Sequence, residues 1–166
     1  MVGTDYTNAI RLLSNKDDYQ FNIIVAPGLT YANTTTQLDS IVSLAESRGD
    51  CIAVIDLVNY GSTLAGATTK ALSLNTSYGA SYWPWVQMRS ATGRNEWCPA
   101  SVVIPGVYAF TDAAAAPWFA PAGLVRGGIP GVIQTERRLS KSDRDNLYAG
   151  KVNPIATFPG TGVVVY

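Results

Sequence analysis

Apolar positions in the first sixty residues alternate between spaced stripes and short continuous runs. Ala9, Ile10, Leu12 and Leu13 supply one face of a first helix over Asp5–Leu13. Phe21–Asn22–Ile23–Ile24–Val25 is a short apolar run stopped by Ala26–Pro27–Gly28, the pattern of a buried strand ending in a turn. Leu38, Ile41, Val42 and Ala45 share a face of a second helix, with N-caps available at Thr34 to Thr36 and stop signals at Arg48 and Gly49. Cys51 to Leu57 is a second continuous apolar strand. Strands apolar on both faces, in strand–helix–strand order, predict a parallel sheet covered by helices.

Beyond residue 58 the pattern is less regular. Asn59 to Ser77 fits a loop plus a weak helix, and Tyr82–Trp83–Pro84–Trp85–Val86 a third strand that Pro84 makes irregular or edge-like. Ser90 to Glu96 reads as a polar loop. Pro99 to Ala116 is small and apolar, a helix packed closely on the sheet that Pro105–Gly106 would kink or divide. Gly127–Gly131 is a turn region leading into Val132–Thr135. Ser140 with Asp143 at the third position forms a capping box, and Gly150 stops that helix. Asn153–Ile155 and Gly162–Tyr166 are two short strands. The last is a bare apolar edge that invites pairing with another segment, and the chain is expected to be a piece of a longer protein. The predicted class is α/β, a largely parallel or mixed sheet flanked by helices, in one domain.

Composition narrows the function classes. Charged residues make up only 14% of the chain, against ~25% in an average soluble domain. The shortfall points to surface covered by other chains, with a large core as the alternative reading. Twelve basic and twelve acidic residues balance and form no basic run, so nucleic acid is not an expected partner. No apolar run approaches the ~20 residues of a membrane span, so membrane insertion is not expected either. Cys51 sits in an apolar run and reads as a buried free thiol, without CxxC spacing to Cys98. Histidine is absent, which excludes Ser-His-Asp and Cys-His chemistry and His-ligated zinc. Gly127–Gly131 lacks the Lys-Ser/Thr pair of a phosphate loop. Asp50, Asp56 and Asp112 have no metal-ligand spacing, so no cofactor or metal is expected.

The stretch from Ala116 to Gly123 joins two prolines, Trp118 and Phe119 with no charge before Arg126. It is too broken for a helix and too apolar for a solvated loop. Two readings follow. As a joint, Trp118 and Phe119 pack beneath the sheet while Pro121 to Gly123 turn the chain toward the next strand. As an interface, the same aromatics meet a neighbouring subunit. The joint is the expectation, because large aromatics are usually buried within their own chain.

An ordered series of short motifs then carries a resemblance. Trp83–Pro84–Trp85 is followed by Pro99–Ala100–Ser101, Gly106–Val107–Tyr108–Ala109 and Thr111–Asp112. Trp118–Phe119–Ala120–Pro121–Ala122–Gly123, Arg126–Gly127, Asp145–Asn146–Leu147–Tyr148 and Val152–Asn153–Pro154–Ile155 come after. In this order and spacing the chain resembles contractile tail sheath proteins of bacteriophages and phage-tail-like particles, most closely from about Asp50 onward. The resemblance implies a subtilisin-like sheath-domain topology without a catalytic site, and a non-enzymatic role. It implies hexameric rings stacked around a tail tube, which contract to drive the tube through a cell envelope. The implied partners are other copies of the subunit, the tail tube protein, and baseplate and tail terminator proteins. The implied location is the virion tail, assembled in the host cytoplasm. It also implies an N-terminal arm and a C-terminal domain, neither of which is found in these residues.

Candidate residues follow from both readings. Trp83, Trp85, Trp118, Phe119, Pro121 and Gly123 are fold or interface anchors. Arg126, Arg137, Arg138, Lys141, Asp143, Arg144 and Asp145 are candidates for ion pairs between subunits, against the plainer reading of a solvated helix face. The competing function is a small α/β enzyme or ligand-binding domain using the C-terminal strand ends near Pro27 and Asp56.

Overall fold

The structure is a computed structural model describing residues 3–166. Its first half runs α1 (Gly3–Leu13), β1 (Ile23–Val25), α2 (Thr35–Arg48), β2 (Ile52–Ile55), α3 (Leu64–Ser73) and β3 (Gly79–Trp83). β4 (Val86–Arg89), β5 (Asn95–Cys98), a 3-10 turn (Ala100–Val102), α4 (Ile104–Ala114) and α5 (Gly123–Arg126) follow. The chain closes with β6 (Val132–Thr135), α6 (Lys141–Ala149), β7 (Asn153–Phe158) and β8 (Gly162–Val165).

The main sheet has the order β1-β2-β3-β7-β8, parallel as far as β7 and antiparallel at β8. A second sheet, β5-β4-β6, is antiparallel throughout. The expected mixed α/β architecture is therefore present. Alternation along β2 divides the core in two. Ala53 and Ile55 face α2, α3 and α6, where Leu38, Ile41, Ala67, Ala71, Trp83 and Leu147 are buried. Val54 faces the opposite side and packs with Ile104, Val107 and Ile155, and there the second sheet adds Val86. Each fully buried Leu or Ile contributes about 1.5–3 kcal/mol.

Several elements depart from the expected pattern. Tyr82–Val86 is not one strand: β3 ends at Trp83, the Trp83–Pro84 peptide is cis, and Val86 begins β4 in the other sheet. The polar Ser90–Glu96 segment is not all loop, because Asn95 and Glu96 start β5, whose backbone pairs with β4. Pro105 neither kinks nor divides α4. It occupies the first turn, where its missing N–H would have had no partner in any case. At α2, Thr34 is the N-cap residue, but its hydroxyl donates back to the Thr30 carbonyl and does not cap. In α1, Ile10 and Leu13 are half-buried whereas Ala9 and Leu12 face solvent, so the helix rests on the core by a narrower stripe than expected. The capping box at Ser140 and Asp143 is present with both reciprocal bonds.

Arg48 is more than a stop signal for α2. Its guanidinium is almost fully buried, pairs with Asp50 at 2.9 Å, donates to the carbonyls of Leu13 and Tyr19, and lies 4.2 Å from the Phe21 ring centroid. One side chain thus ties α1 and the loop after it to the end of α2.

Candidate functional site

The segment after α4 is built around backbone constraints. α4 ends at Ala114 with Ala115 as its C-cap, and Phe119 donates its amide to Ala116 in a tight turn. Gly123 then opens α5 at φ +86°, a left-handed conformation that favours glycine. Gly127 accepts the Val165 amide at 2.7 Å, and Ile129 donates to Val163 at 3.0 Å. A Cβ at Gly127 would overlap the Val165 carbonyl oxygen, so the close approach to β8 requires glycine there. Residues 127–129 thereby pair with part of the β8 edge that had seemed free.

This scaffold holds the aromatics outward. Trp118 is 84% exposed and Val125 is 89% exposed, while Phe110 and Leu124 are each more than half exposed. Trp118 therefore does not pack beneath the sheet, and the joint expectation is corrected for it. The turn at Ala116–Phe119 carries the indole past the end of α4, beyond the reach of either core. Phe119 is 42% exposed with the Arg126 guanidinium 4.9 Å from its centroid, and Arg126 also donates to the Ala120 carbonyl. Pro117, Phe119 and Pro121 roof a cleft of about 380 Å³ floored by Ile23, Ile52 and Tyr82. On the other side of α4, Phe110 and Val125 border a groove of about 400 Å³ with Ile129 and Val132 at its base.

The remaining candidates separate. Trp83 is fully buried in the core, whereas Trp85 is half-buried with its indole N–H donating to the Val58 carbonyl. Among the described residues the one salt bridge is Arg48–Asp50, so the basic and acidic candidates do not pair with one another. Arg144 lies over the neighbouring rings of Phe158 and Tyr166, at 5.1 and 4.8 Å, beside a cavity of about 470 Å³ rimmed by Tyr148 and Pro154. Asp143 is committed to the capping box, whose bonds from Ser140 hold its carboxyl below the usual range. Arg137, Arg138, Lys141 and Asp145 are exposed.

At the strand ends, Pro27 is exposed and Asp56 is buried. Burial raises the Asp56 carboxyl to about 6, against which two hydrogen bonds from Ser101 work in the opposite direction. With both oxygens engaged, Asp56 offers no free acid to a ligand. No group of three or more metal-ligating side chains occurs among the described residues, and no helix there is long and apolar enough to cross a membrane.

The arrangement has broad exposed apolar surfaces and its buried acid is already bonded, which suits protein contact better than catalysis. Comparison with known proteins agrees. Residues 1–166 match the family of the phage tail sheath protein central domain. Tail sheath proteins of Vibrio phage KVP40 and Enterobacteria phage T4 are 28% and 25% identical to it, each over 98% of this chain. The chain spans 28% of the length of both relatives. Similar folds occur in the cryo-EM structures of the anti-feeding prophage baseplate and of its contracted helical sheath, with TM-scores of 0.74 and 0.73 at 21% identity. Those alignments cover 99% and 100% of this chain and 42% and 44% of the other chains. The contracted PVC sheath complex of an extracellular contractile injection system aligns with a TM-score of 0.70 at 25% identity, over 95% of this chain and 42% of that one. A match along the whole chain, on a fold shared with these particles, means that the chain belongs to the phage tail sheath protein central domain family.

Proposed function

We propose that this chain is the central domain of a longer structural subunit, which assembles as hexameric rings around a tail tube and contracts to drive the tube through the host envelope. The observation that carries the reading is the family match over residues 1–166. The partners under this reading are further copies of the subunit, the tail tube, and baseplate and tail terminator proteins, in a virion tail assembled in the host cytoplasm. The short coverage of the relatives' length supports additional segments in the full subunit, among them an N-terminal arm and a C-terminal domain. The main sheet with helices on both faces is consistent with a subtilisin-like topology, and likeness of fold carries no catalysis with it.

Rigid α/β domains suit such a machine, because they move as bodies while interfaces exchange. Trp118 and Phe119, held on the Ala116–Phe119 turn, are the proposed apolar contact with an adjoining copy. Trp83 and Trp85 serve the fold that presents it. Arg126, Arg137, Arg138, Asp143, Arg144 and Asp145 are the proposed charged partners across copies. Electron microscopy of the full-length protein tests the assembly: tubes or stacked rings are expected. Monomers alone across salt and protein concentration would overturn it.

A further inference from the structure

The outer face of the β5-β4-β6 sheet carries a second constellation, independent of the sheath reading. Val86, Met88, Cys98 and Val132 turn inward onto the core. Alternation then places Trp97 and Gln87 on the outer face, and a bulge in β6 opposite Gln87–Met88 brings Gln134 to the same face, so that register puts the three in one row, with Gln87 opposite Trp97 on one side and Gln134 on the other. Two strand spacings make that row ~10 Å long. Gln134 donates its amide to Gln87 at 2.9 Å, which leaves one NH2 group and one carbonyl oxygen of the pair without a partner among the described residues.

Tyr60 extends the row. Its half-exposed ring lies 5.1 Å from that of Trp97 and 6.1 Å from that of Trp85. The loop carrying it is fixed at both ends: the Trp85 indole holds the Val58 carbonyl, and Glu136 accepts the Gly61 amide. A partly exposed aromatic pair, a fixed loop and a neutral amide pair in line form a prearranged surface.

Two features select the ligand. Aromatic rings cover the C–H faces of a flat ring, and side-chain amides both donate to and accept from hydroxyl groups. The four side chains of the row carry no charge; the Glu136 carboxylate beside it accepts the Gly61 amide through one oxygen and has the other buried, and Arg89 lies beyond Gln87 on the same face. We propose that this face is a binding site for neutral oligosaccharides, with Tyr60 and Trp97 stacking on sugar rings and Gln87 and Gln134 bonding their hydroxyls. Glu136 is a positioning residue that keeps the Tyr60 loop in place. A copy–copy contact is the less favoured occupant, since an apolar surface suited to one is exposed around Trp118.

The test is titration of the full-length protein with cellohexaose and with maltohexaose, followed by tryptophan fluorescence and calorimetry. Saturable binding of at least one is expected, weakened about tenfold or more by Trp97→Ala or Tyr60→Ala and unchanged by Trp118→Ala. Melting temperature identifies any variant that fails to fold. In that case the double variant Gln87→Ala with Gln134→Ala, which removes the amide pair and leaves both aromatic rings in place, supplies the reading and is expected to weaken binding. Three outcomes overturn the proposal: no saturable binding of either sugar, binding indifferent to all of these variants, or no sugar binding together with loss of ring assembly in Trp97→Ala. The last would mark the face as a contact between copies.

Discussion

Ser101 grips the buried carboxylate of Asp56 with two bonds, from its amide at 3.0 Å and from its hydroxyl at 2.5 Å. The pair joins the end of β2 to the start of the 3-10 turn, and so ties the main sheet to the layer that carries α4. It also sets how stability responds to pH.

The folded chain raises the Asp56 carboxyl to about 6 from 3.8, so folding favours its protonated form. The resulting stability is complete below about pH 4 and is lost as pH rises through about 6, a swing of about 3 kcal/mol. Asp50 and Asp143 act in the opposite sense: Arg48 and Ser140 hold their carboxyls low, so their contributions fade only in more acid solution. The chain has no histidine, the residue type that ordinarily titrates between pH 5 and 8. Urea unfolding from pH 4.5 to 7.5 should therefore show falling stability for the native chain and a nearly flat profile for Asp56→Asn. An equal slope in both proteins would refute the assignment.

Two tryptophans should respond in opposite ways to the same truncation. Trp83 is 1% exposed, and Trp83→Ala should cost about 3–5 kcal/mol. Trp118 touches little of its own chain, so Trp118→Ala should change the stability of the 1–166 chain by no more than about 0.5 kcal/mol. If Trp118 is a contact between copies, the same change in the full-length protein should reduce ring assembly. Thermal melts combined with electron microscopy separate the two effects. A large loss of melting temperature in Trp118→Ala would return the residue to a role in the fold.

Comparison of these residues shows what a sequence can reveal. The α2 stripe and the Ser140 capping box were legible because their causes lie within a few residues of one another. Trp118 was not, since an apolar segment declares a need for cover without saying which chain supplies it. β5 was hidden because Asn95 and Glu96, exposed on a short antiparallel strand, look like loop residues in isolation. Arg48 was hidden for another reason. Its acceptors at Leu13 and Tyr19 are backbone carbonyls some thirty residues away, and a carbonyl leaves no mark on residue type.

Gly127 should be intolerant of even a methyl group. A Cβ there meets the Val165 carbonyl, and overpacking of this kind costs about 1–3 kcal/mol. Gly127→Ala should also part residues 127–129 from β8. Hydrogen exchange at the Val165 amide, which bonds Gly127, should then accelerate more than at Ala156, deep in β7. Uniform acceleration at both sites would mean that the contact is not local.

Arg48 allows a sharper test of how α1 is attached. No residue of α1 is fully buried, and the helix reaches the core mainly through Ile10 while the Arg48 guanidinium holds the Leu13 carbonyl at its end. Arg48→Met keeps the length of the side chain but strands the Leu13 and Tyr19 carbonyls and leaves Asp50 without its cation. An acceptor left without its bond costs about 1–3 kcal/mol when it stays buried, and less where water can reach it. The loss should fall on α1 and the following loop, because the other side of α2 is still packed through Leu38, Ile41 and Ala45. Limited trypsin digestion should therefore cut Arg48→Met early at Arg11 or Lys16, and amide exchange should rise across α1 before it rises in β2. Arg48→Lys should fall between the two, since one ammonium cannot span both carbonyls and the carboxylate in the planar geometry of the guanidinium. If all regions of Arg48→Met exchange at one common rate, α1 is part of the global unfolding unit and Arg48 is not its separate fastening.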